Sequence, residues 1–247
     1  MKLCIDAGHG GKDSGAVGVG GRLEKDDNLK MALSLKKVME GRGHQVIMTR
    51  TSDTYPSLNE RADMANGWGA DVLVSLHRNN YADPNANGGE VLYGRTASAT
   101  SIKLAEAVNT GMNKAAGFKD RGAKRQAATV LARSKMPAIT IEAGFVSSTM
   151  DNDKFDKNFD NLIWAFVDSL EAIFGMGGAV VPKPEPQPAD PLKYVTTGNA
   201  RLWKDVGRVA DGTAVILDAY HEGDRQARVK DKDGAEYLVD WANIRKG

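Results

Sequence analysis

The chain has 247 residues, of which 41% are hydrophobic, and its 33 Lys and Arg nearly balance its 32 Asp and Glu. This length and composition suffice for one full-sized core and a small second one, and the balanced charge excludes the basic footprint of a protein that binds nucleic acid. Cys4 is the only cysteine, which rules out a disulfide framework and a thiolate metal cluster and predicts a small buried hydrophobe.

The sequence carries no pattern for insertion into a membrane or for export. No stretch approaches the roughly 20 apolar residues of a membrane span. The start lacks the series of charged segment, apolar segment and cleavage site that marks a signal peptide. If the numbering begins at the natural start, we expect synthesis in the cytoplasm and action on an extracellular target only after release; a chain trimmed of its leader would look the same. A monomer is compatible with this sequence.

Strand and helix patterns alternate along the first 176 residues. Apolar runs that predict strands lie at 2–6, 44–49, 71–76, 89–93 and 138–141. Helical patterns lie between them and after them, at about 27–41, 58–67, 99–115 and 155–174. This alternation predicts an α/β domain with an open, largely parallel twisted sheet flanked by helices.

Two of the helices have recognisable signals. Asp26 or Asp27 is expected to cap the first helix, which the glycines at 41 and 43 would end. In 155–174, the clearest helix, phenylalanines and aliphatic residues recur at steps of three and four, and this stripe is interpreted as core.

A proline-rich segment at 177–191 holds five of the eight prolines and has no hydrophobic periodicity. Such a segment favours extended polyproline II at about 3.1 Å per residue, and is interpreted as a linker. The chain is therefore predicted to divide into residues 1–176 and residues 192–247.

The second part is predicted to be a small all-β barrel. Alternating runs at 214–217, 227–229 and 236–239 are separated by turn residues and read as hairpins. It resembles bacterial SH3-like modules that bind cell walls. The core of so short a segment needs aromatic side chains first, and Trp241 is assigned equally to the core or to a ligand face. The candidates for a ligand face are Trp203, Tyr220, Tyr237 and Trp241.

Polar residues at the strand ends of the first part predict a metal site. His9 follows the first strand, His77 follows the third, Glu142 ends the run at 138–141, and Glu24 precedes the first helix. Ligands of open α/β sheets bind outside the carboxyl ends of the strands. Two imidazoles and two carboxylates can supply a His2Glu zinc site open to water and a separate general base, which together would hydrolyse an amide or an ester.

Each of these residues also has a less specific interpretation. Either histidine alone is more often a hydrogen-bonding side chain than a ligand, and Glu24 suits a solvated helix start. Glu142 is costly to bury without a partner. The glycine-rich loop after the first strand fits neither a dinucleotide nor a P-loop template. The remaining histidines, His44 and His221, are interpreted as structural or exposed.

The chain resembles the zinc-dependent N-acetylmuramoyl-L-alanine amidases of the amidase-3 family over about residues 2–172. The family cuts the bond between the lactyl group of N-acetylmuramic acid and the first L-alanine of the peptidoglycan stem. The matching segments are 5–11 with Asp13 and Gly15, 23–29, 49–51 with Asp53, 58–61, 75–79 and 141–147. The resemblance implies that His9, Glu24 and His77 bind a zinc ion, that Glu142 is the catalytic carboxylate, and that Asn79 supports the site or the substrate.

Departures from the family pattern concern the substrate contacts. Arg78 stands where the family usually has a small residue, and the basic segment 121–126 could meet the acidic groups of a stem peptide, although a solvated face is the simpler alternative. The predicted substrate-binding residues are therefore Arg78, Asn79, Lys124 and Arg125.

The order of catalytic domain, linker and small binding module is typical of endolysins from phages of Gram-positive bacteria, with peptidoglycan as the partner. A host autolysin, a zinc peptidase that cuts within the stem, and a non-catalytic wall-binding protein stay open as alternatives. The last is disfavoured because all four site residues are intact. Manganese or cobalt could also occupy such a site.

Overall fold

A computed structural model describes residues 1–83 and 85–175, together with the backbone of seven strands between Lys193 and Lys246. The chain separates into two compact units, Met1–Lys183 and Pro184–Gly247. The predicted linker at 177–191 lies outside the described residues. Among the helices that are described, none combines the length and the apolar character needed to cross a membrane.

The first unit is built on a six-stranded sheet in the order β2-β1-β3-β6-β4-β5. Its strands are β1 (Lys2–Ala7), β2 (Gln45–Met48), β3 (Val72–Asn79), β4 (Gly89–Tyr93), β5 (Asp120–Arg125) and β6 (Ala138–Phe145). Its helices are α1 (Glu24–Gly41), α2 (Leu58–Trp68), α3 (Ala99–Ala116), α4 (Thr129–Arg133), α5 (Thr149–Lys157) and α6 (Phe159–Phe174). Neighbouring strands of this sheet are parallel except β4 and β6, which confirms the predicted α/β fold with a mostly parallel sheet.

The sheet separates two hydrophobic clusters because successive side chains of a strand point to opposite faces. On β1, Leu3 and Ile5 belong to the large cluster with apolar residues of α1, α3 and α6. Cys4, between them, belongs to a smaller cluster with residues of α2 and α4. The predicted burial of Cys4 is confirmed, and burial raises the pKa of its thiol to about 12.

Two predicted helix boundaries are wrong. The apolar stripe at 155–174 is divided between α5 and α6, because Asn158 adopts a φ of −111° that interrupts the helix. Helix α1 begins at Glu24 without a side-chain cap. Asp27 lies inside its first turn and instead forms ion pairs with Arg22 and Arg78 at 2.7 and 2.6 Å.

In the first unit, two strands extend further than predicted, and the strand β5 and the α-helix α4 were not predicted. Strand β3 continues to Asn79 and β6 to Phe145, so His77 and Glu142 lie within strands rather than after them. The edge strand β5 and the short helix α4 occupy a region that the sequence patterns leave unassigned.

The second unit contains seven strands whose neighbours pair antiparallel in the order β13-β7-β10-β11-β12-β8-β9. They are β7 (Lys193–Thr196), β8 (Ala200–Trp203), β9 (Arg208–Val209), β10 (Ala214–Ala219), β11 (Gln226–Lys230), β12 (Glu236–Asp240) and β13 (Ile244–Lys246). The three predicted runs lie in β10, β11 and β12. Tyr220, His221 and Trp241 lie outside the described residues, as do the side chains of Trp203 and Tyr237.

Candidate metal centre and active site

His9 is held in an uncommon backbone conformation in the loop that follows β1. Its φ is 60°, the left-handed region that a residue other than glycine enters at a cost of about 1–3 kcal/mol. Arg61 of α2 donates from Nη2 to the His9 carbonyl at 2.7 Å and so secures the turn. The strain sits where the fold must aim an imidazole, which is where strained residues concentrate.

Two buried arginines tie this loop to its surroundings. Arg50 donates to the carbonyls of Ala7, Gly8 and Lys25 at 2.8, 2.9 and 2.7 Å, so it joins the loop to the first turn of α1. Arg61 donates from Nη1 to the Ala7 carbonyl at 2.7 Å as well as to the Asp6 carboxylate at 2.8 Å. The ligand-bearing loop and the start of α1 are therefore fixed to one another by buried hydrogen bonds.

His9, Glu24 and His77 converge on one point. Each offers one ligand atom, and the three atoms lie within 4.8 Å of one another. Glu24 is 4% exposed, and its carboxylate lies between the two imidazoles, 3.2 Å from His9 Nε2 and 2.9 Å from His77 Nδ1. The structure therefore brings together the three residues that the sequence predicts as metal ligands.

Two glycines leave room for these side chains. A Cβ atom at Gly8 would lie 2.2 Å from the His77 ring, and one at Gly15 would lie 2.6 Å from the His9 ring and 2.7 Å from Glu24 Oε2. Real Cβ atoms do not approach so closely. The glycine-rich character of the loop, which first suggests phosphate binding, is therefore explained by the space that the imidazoles and the carboxylate require.

The charges of the cluster favour an ionised Glu24. Burial raises the pKa of this carboxyl group, but hydrogen bonds and charge from His77 and His9 outweigh it and hold the pKa well below its usual range. Burial lowers the pKa of His9, but Glu24 and Asp13 outweigh that effect and raise it to about 9. A metal ion needs neutral imidazoles, so it would compete with protons at these rings.

Other groups around the cluster orient the ligands. Asp13 Oδ2 lies 2.8 Å from His9 Nδ1, which leaves Nε2 of that ring directed at Glu24. The Glu24 carboxylate also accepts from the backbone N–H of Ala16 at 2.9 Å and of Arg78 at 3.1 Å. Asp13 belongs to the motif at the start of the chain, but the sequence gives no signal for its role.

Glu142 lies beside the cluster as the direct partner of His77 in the β3–β6 register. Its side chain is half-buried and accepts no hydrogen bond from the described part of the chain. Burial raises the pKa of Glu142 to about 7, against an opposing effect of His77. A carboxyl group of this pKa can both take up and release a proton near neutral pH.

Arg78 does not lie where a substrate could reach it. It is 1% exposed, donates to Asp27 and Asn152 at 2.6 and 2.8 Å, and lies over the Phe155 ring at 4.1 Å. The structure gives it a structural role in place of the substrate contact that the sequence predicts. The reason is the strand period, which directs Arg78 to the face opposite His77.

Two of the other predicted substrate-binding residues, Asn79 and Lys124, contact the carboxylate of Glu90 of β4, which the sequence patterns do not single out. Asn79 donates to Glu90 Oε1 at 2.9 Å, and Lys124 donates to Oε2 at 2.5 Å. Arg125 is exposed and follows Lys124 directly in β5, so it points to the opposite face. In the sequence, Glu90 stands between two glycines and the apolar pair Val91-Leu92, and no local pattern marks it as functional.

Known proteins resemble the first unit in sequence and in structure. The sequence profile of the Amidase_3 family, N-acetylmuramoyl-L-alanine amidase, matches residues 3–172. The N-acetylmuramoyl-L-alanine amidase LytC of Bacillus subtilis is 37% identical over 153 residues, which cover 62% of this chain and 31% of that protein. The sporulation-specific N-acetylmuramoyl-L-alanine amidase of the same organism is 34% identical over 180 residues, covering 71% of this chain and 69% of that protein.

A solved structure agrees with these matches. The crystal structure of N-acetylmuramoyl-L-alanine amidase from Clostridium difficile 630 superimposes with a TM-score of 0.67 at 38% identity, covering 69% of this chain and 95% of that chain. The chain thus spans about a third of LytC and about two thirds of the sporulation-specific enzyme. The similarity extends over the α/β unit that carries the cluster.

Proposed function

The chain belongs to the N-acetylmuramoyl-L-alanine amidase family, and on that premise we propose that it hydrolyses the amide bond between N-acetylmuramic acid and L-alanine in peptidoglycan, with one zinc ion. The observation that carries the proposal is the convergence of His9, Glu24 and His77 within 4.8 Å, beside a carboxylate whose pKa lies near neutrality.

The donor set fits zinc. Two imidazoles and one carboxylate are a known catalytic set, which leaves a fourth position for water or substrate. When bound, zinc polarises a carbonyl and lowers the pKa of its water to about 7. The buried and already ionised Glu24 supplies the negative charge that a dication needs in a partly desolvated site.

Glu142 is the proposed proton carrier. It takes a proton from the water that attacks the lactyl carbonyl carbon, and it then delivers this proton to the nitrogen of L-alanine as the carbon–nitrogen bond breaks. A new carboxylate remains on the sugar and a new amino terminus on the peptide. A pKa of about 7 allows the same group to serve in both directions near neutral pH.

Digestion of purified peptidoglycan tests the proposal. We expect new L-alanine amino termini without new reducing sugar ends, identified by end-group labelling and mass spectrometry. A chelator should abolish them and zinc should restore them. New amino termini at other stem residues would make the chain a peptidase instead, and walls of several species left without new ends would support the non-catalytic alternative.

We further propose that residues 192–247 form an SH3-like barrel that binds the cell wall, joined by the 177–191 linker to the catalytic domain 1–176. The antiparallel strands β7 to β13 support this proposal. Tethering would raise the local concentration of substrate at the active site. Co-sedimentation with walls compares a full-length Glu142→Gln chain with the same variant ended at Gly175, and the shortened chain is expected to bind more weakly.

The arrangement of these parts also supports the role of a phage endolysin that acts on the wall after release, with a host autolysin as the alternative. The genomic neighbourhood distinguishes them: an endolysin gene lies among phage genes, and an autolysin gene lies among chromosomal ones.

A further inference from the structure

Charged groups form a row across four neighbouring strands. His77 of β3 is the register partner of Glu142 of β6, and Glu142 is the register partner of Glu90 of β4. Directly paired residues of adjacent strands project from the same face of a sheet. From β5, Arg121 Nε and Lys124 Nζ both donate to Glu90 Oε2, at 2.9 and 2.5 Å. The row therefore leads from the metal cluster, through two carboxylates, to two cations.

The cations at the end of this row are anchored but not neutralised. Glu90 is 8% exposed, and although burial raises its pKa, Lys124 and Arg121 outweigh that effect and keep it ionised. One carboxylate faces two cations, so the group keeps a net positive charge. The side chains of Arg121 and Lys124 are 31% and 44% exposed.

Arg121 keeps N–H donors that a ligand could use. It donates to Glu90 through Nε, and its two terminal nitrogens form no hydrogen bond with the described residues. The Phe145 ring, 5.0 Å away, supports the guanidinium from one side. A guanidinium fixed at Nε presents its terminal donors in a geometry that matches a carboxylate.

Resting on the amidase function proposed above, we propose that Arg121 and Lys124 bind the free α-carboxylate of the second stem residue, a glutamate linked through its γ-carboxyl group. Two strand spacings separate β6 from β5, which is about 10 Å. From the scissile carbonyl carbon to the oxygens of that α-carboxylate, an extended chain of two residues spans about 8 Å. Arg121 and Lys124 reach back from β5 to Glu90 of β4, which shortens the remaining gap. A carboxylate on the third residue would lie well beyond this reach.

The consequence is a preference for stems whose second residue is not amidated. A carboxamide at this position carries no charge. It replaces one of the two acceptor oxygens of the carboxylate by an NH2 group, which cannot accept a hydrogen bond from either cation. Charge-assisted hydrogen bonds are about twice as strong as neutral ones, and partial exposure weakens them. We expect a preference of about tenfold in kcat/KM, expressed mainly in KM because the contact is remote from the bond that breaks.

Two substrates that differ in this group alone test the inference. The zinc-loaded full-length chain is given N-acetylmuramoyl-L-alanyl-D-glutamate and its D-isoglutamine counterpart, both with the γ-carboxyl group blocked as a methylamide to mimic the stem linkage, and released L-alanine amino termini are measured. Arg121→Gln should lower kcat/KM for the acid about tenfold and for the amide less than about twofold. Arg121→Lys should retain part of the preference. Binding of both compounds to a Glu142→Gln chain, followed by calorimetry, should show the same preference without turnover.

Arg95→Gln provides the matched control. Arg95 is an exposed residue just past the far end of β4, about 16 Å along the strand direction from Glu90, and loses the same charge on substitution. This variant should keep the wild-type preference. Thermal unfolding of each variant separates lost recognition from lost structure. If Arg121→Gln is less stable than wild type, Lys124→Gln takes its place in the comparison of acid with amide.

The outcomes separate this inference from the amidase proposal. Equal cleavage of acid and amide by the wild-type chain, or an unchanged preference in Arg121→Gln, overturns the inference and leaves the amidase function in place. Absence of L-alanine ends from both compounds overturns both proposals. If tripeptides with an amidated second residue reveal a preference for a side-chain carboxylate on the third residue that Arg121→Gln removes, the assignment to the second residue is wrong.

Discussion

Arg61 of α2, which pairs with Asp6 of β1, and Arg121 of the edge strand β5 have different roles because their surroundings differ. On the β1 side, Arg61 is 2% exposed and donates to backbone carbonyls and to Asp6, so its charge holds the loop of His9, a proposed metal ligand, in place. On the β5 side, Arg121 is anchored at Nε alone and keeps exposed donors. A buried guanidinium whose three nitrogens all donate is part of the structure, whereas one anchored through a single nitrogen and exposed is available to a ligand.

The largest expected effect concerns the catalytic step proposed for Glu142 of β6, which lies between these two regions of the sheet. Glu142→Gln removes the proton carrier while it keeps shape and size, so we expect peptidoglycan hydrolysis to fall about 100- to 10,000-fold. The thermal unfolding temperature should stay within a few degrees of wild type. Wall turbidity measured with time checks the rate, and a variant of wild-type activity would remove Glu142 from the mechanism.

Loss of a buried guanidinium should cost stability rather than selectivity. Arg61→Met leaves the Asp6 carboxylate buried without its cation, and breaking such a pair costs about 3–5 kcal/mol. Urea unfolding measures this loss. Arg121→Gln, at the other end of the sheet, should change the free energy of unfolding by less than about 1 kcal/mol. Similar losses in both variants would contradict the distinction drawn between them.

The residues that orient ligands should affect metal affinity more modestly. Asp13→Asn weakens the hydrogen bond at His9 Nδ1, and changes of this kind typically reduce metal affinity about 10- to 100-fold. Competition with a chromophoric zinc chelator measures the affinity. Because Asp63 of α2 pairs with Arg133 at an exposed position away from the cluster, Asp63→Asn is the matched control and should leave the affinity unchanged.

The smallest expected effect is a dependence of stability on acid. Burial raises the pKa of Asp6, but Arg61, Ser75 and Thr49 outweigh it, so the folded-state pKa lies below the usual range. The ionised group therefore stabilises the fold above its unfolded pKa of about 3.9, and this contribution is lost as the pH falls through the lower folded value. Urea midpoints of wild type and Asp6→Asn should differ at pH 7 and converge below about pH 4; a constant difference would contradict this.

The sequence predicts the site better than the elements around it. His9, His77 and Glu142 could be placed because they follow or end apolar runs and the ends of parallel strands meet at one edge, and Glu24 because it precedes the first helix. The same runs gave strands that were too short, since polar residues inside β3 and β6 look like loop residues. Had β3 been extended to Asn79, its alternation would have placed Arg78 on the buried face.

Strand β5 shows why other parts could not be predicted. Its sequence, Asp120–Arg125, has one apolar side chain and no alternation, because it lies at a sheet edge with one neighbour. The role of Glu90 depends on cross-strand register with Glu142, which no local pattern encodes. The break at Asn158 is hidden because α5 and α6 continue one apolar stripe.

The most direct test of the central claim is the zinc content of two variants that carry the same chemical change. Glu24→Gln and Glu142→Gln each replace one carboxylate by an amide, the first in the cluster and the second beside it. Mass-spectrometric metal analysis should find about one zinc per chain in wild type and in Glu142→Gln, and little in Glu24→Gln, with both variants inactive. Full zinc and activity in Glu24→Gln, or loss of zinc from Glu142→Gln, would contradict the division of roles between these two carboxylates.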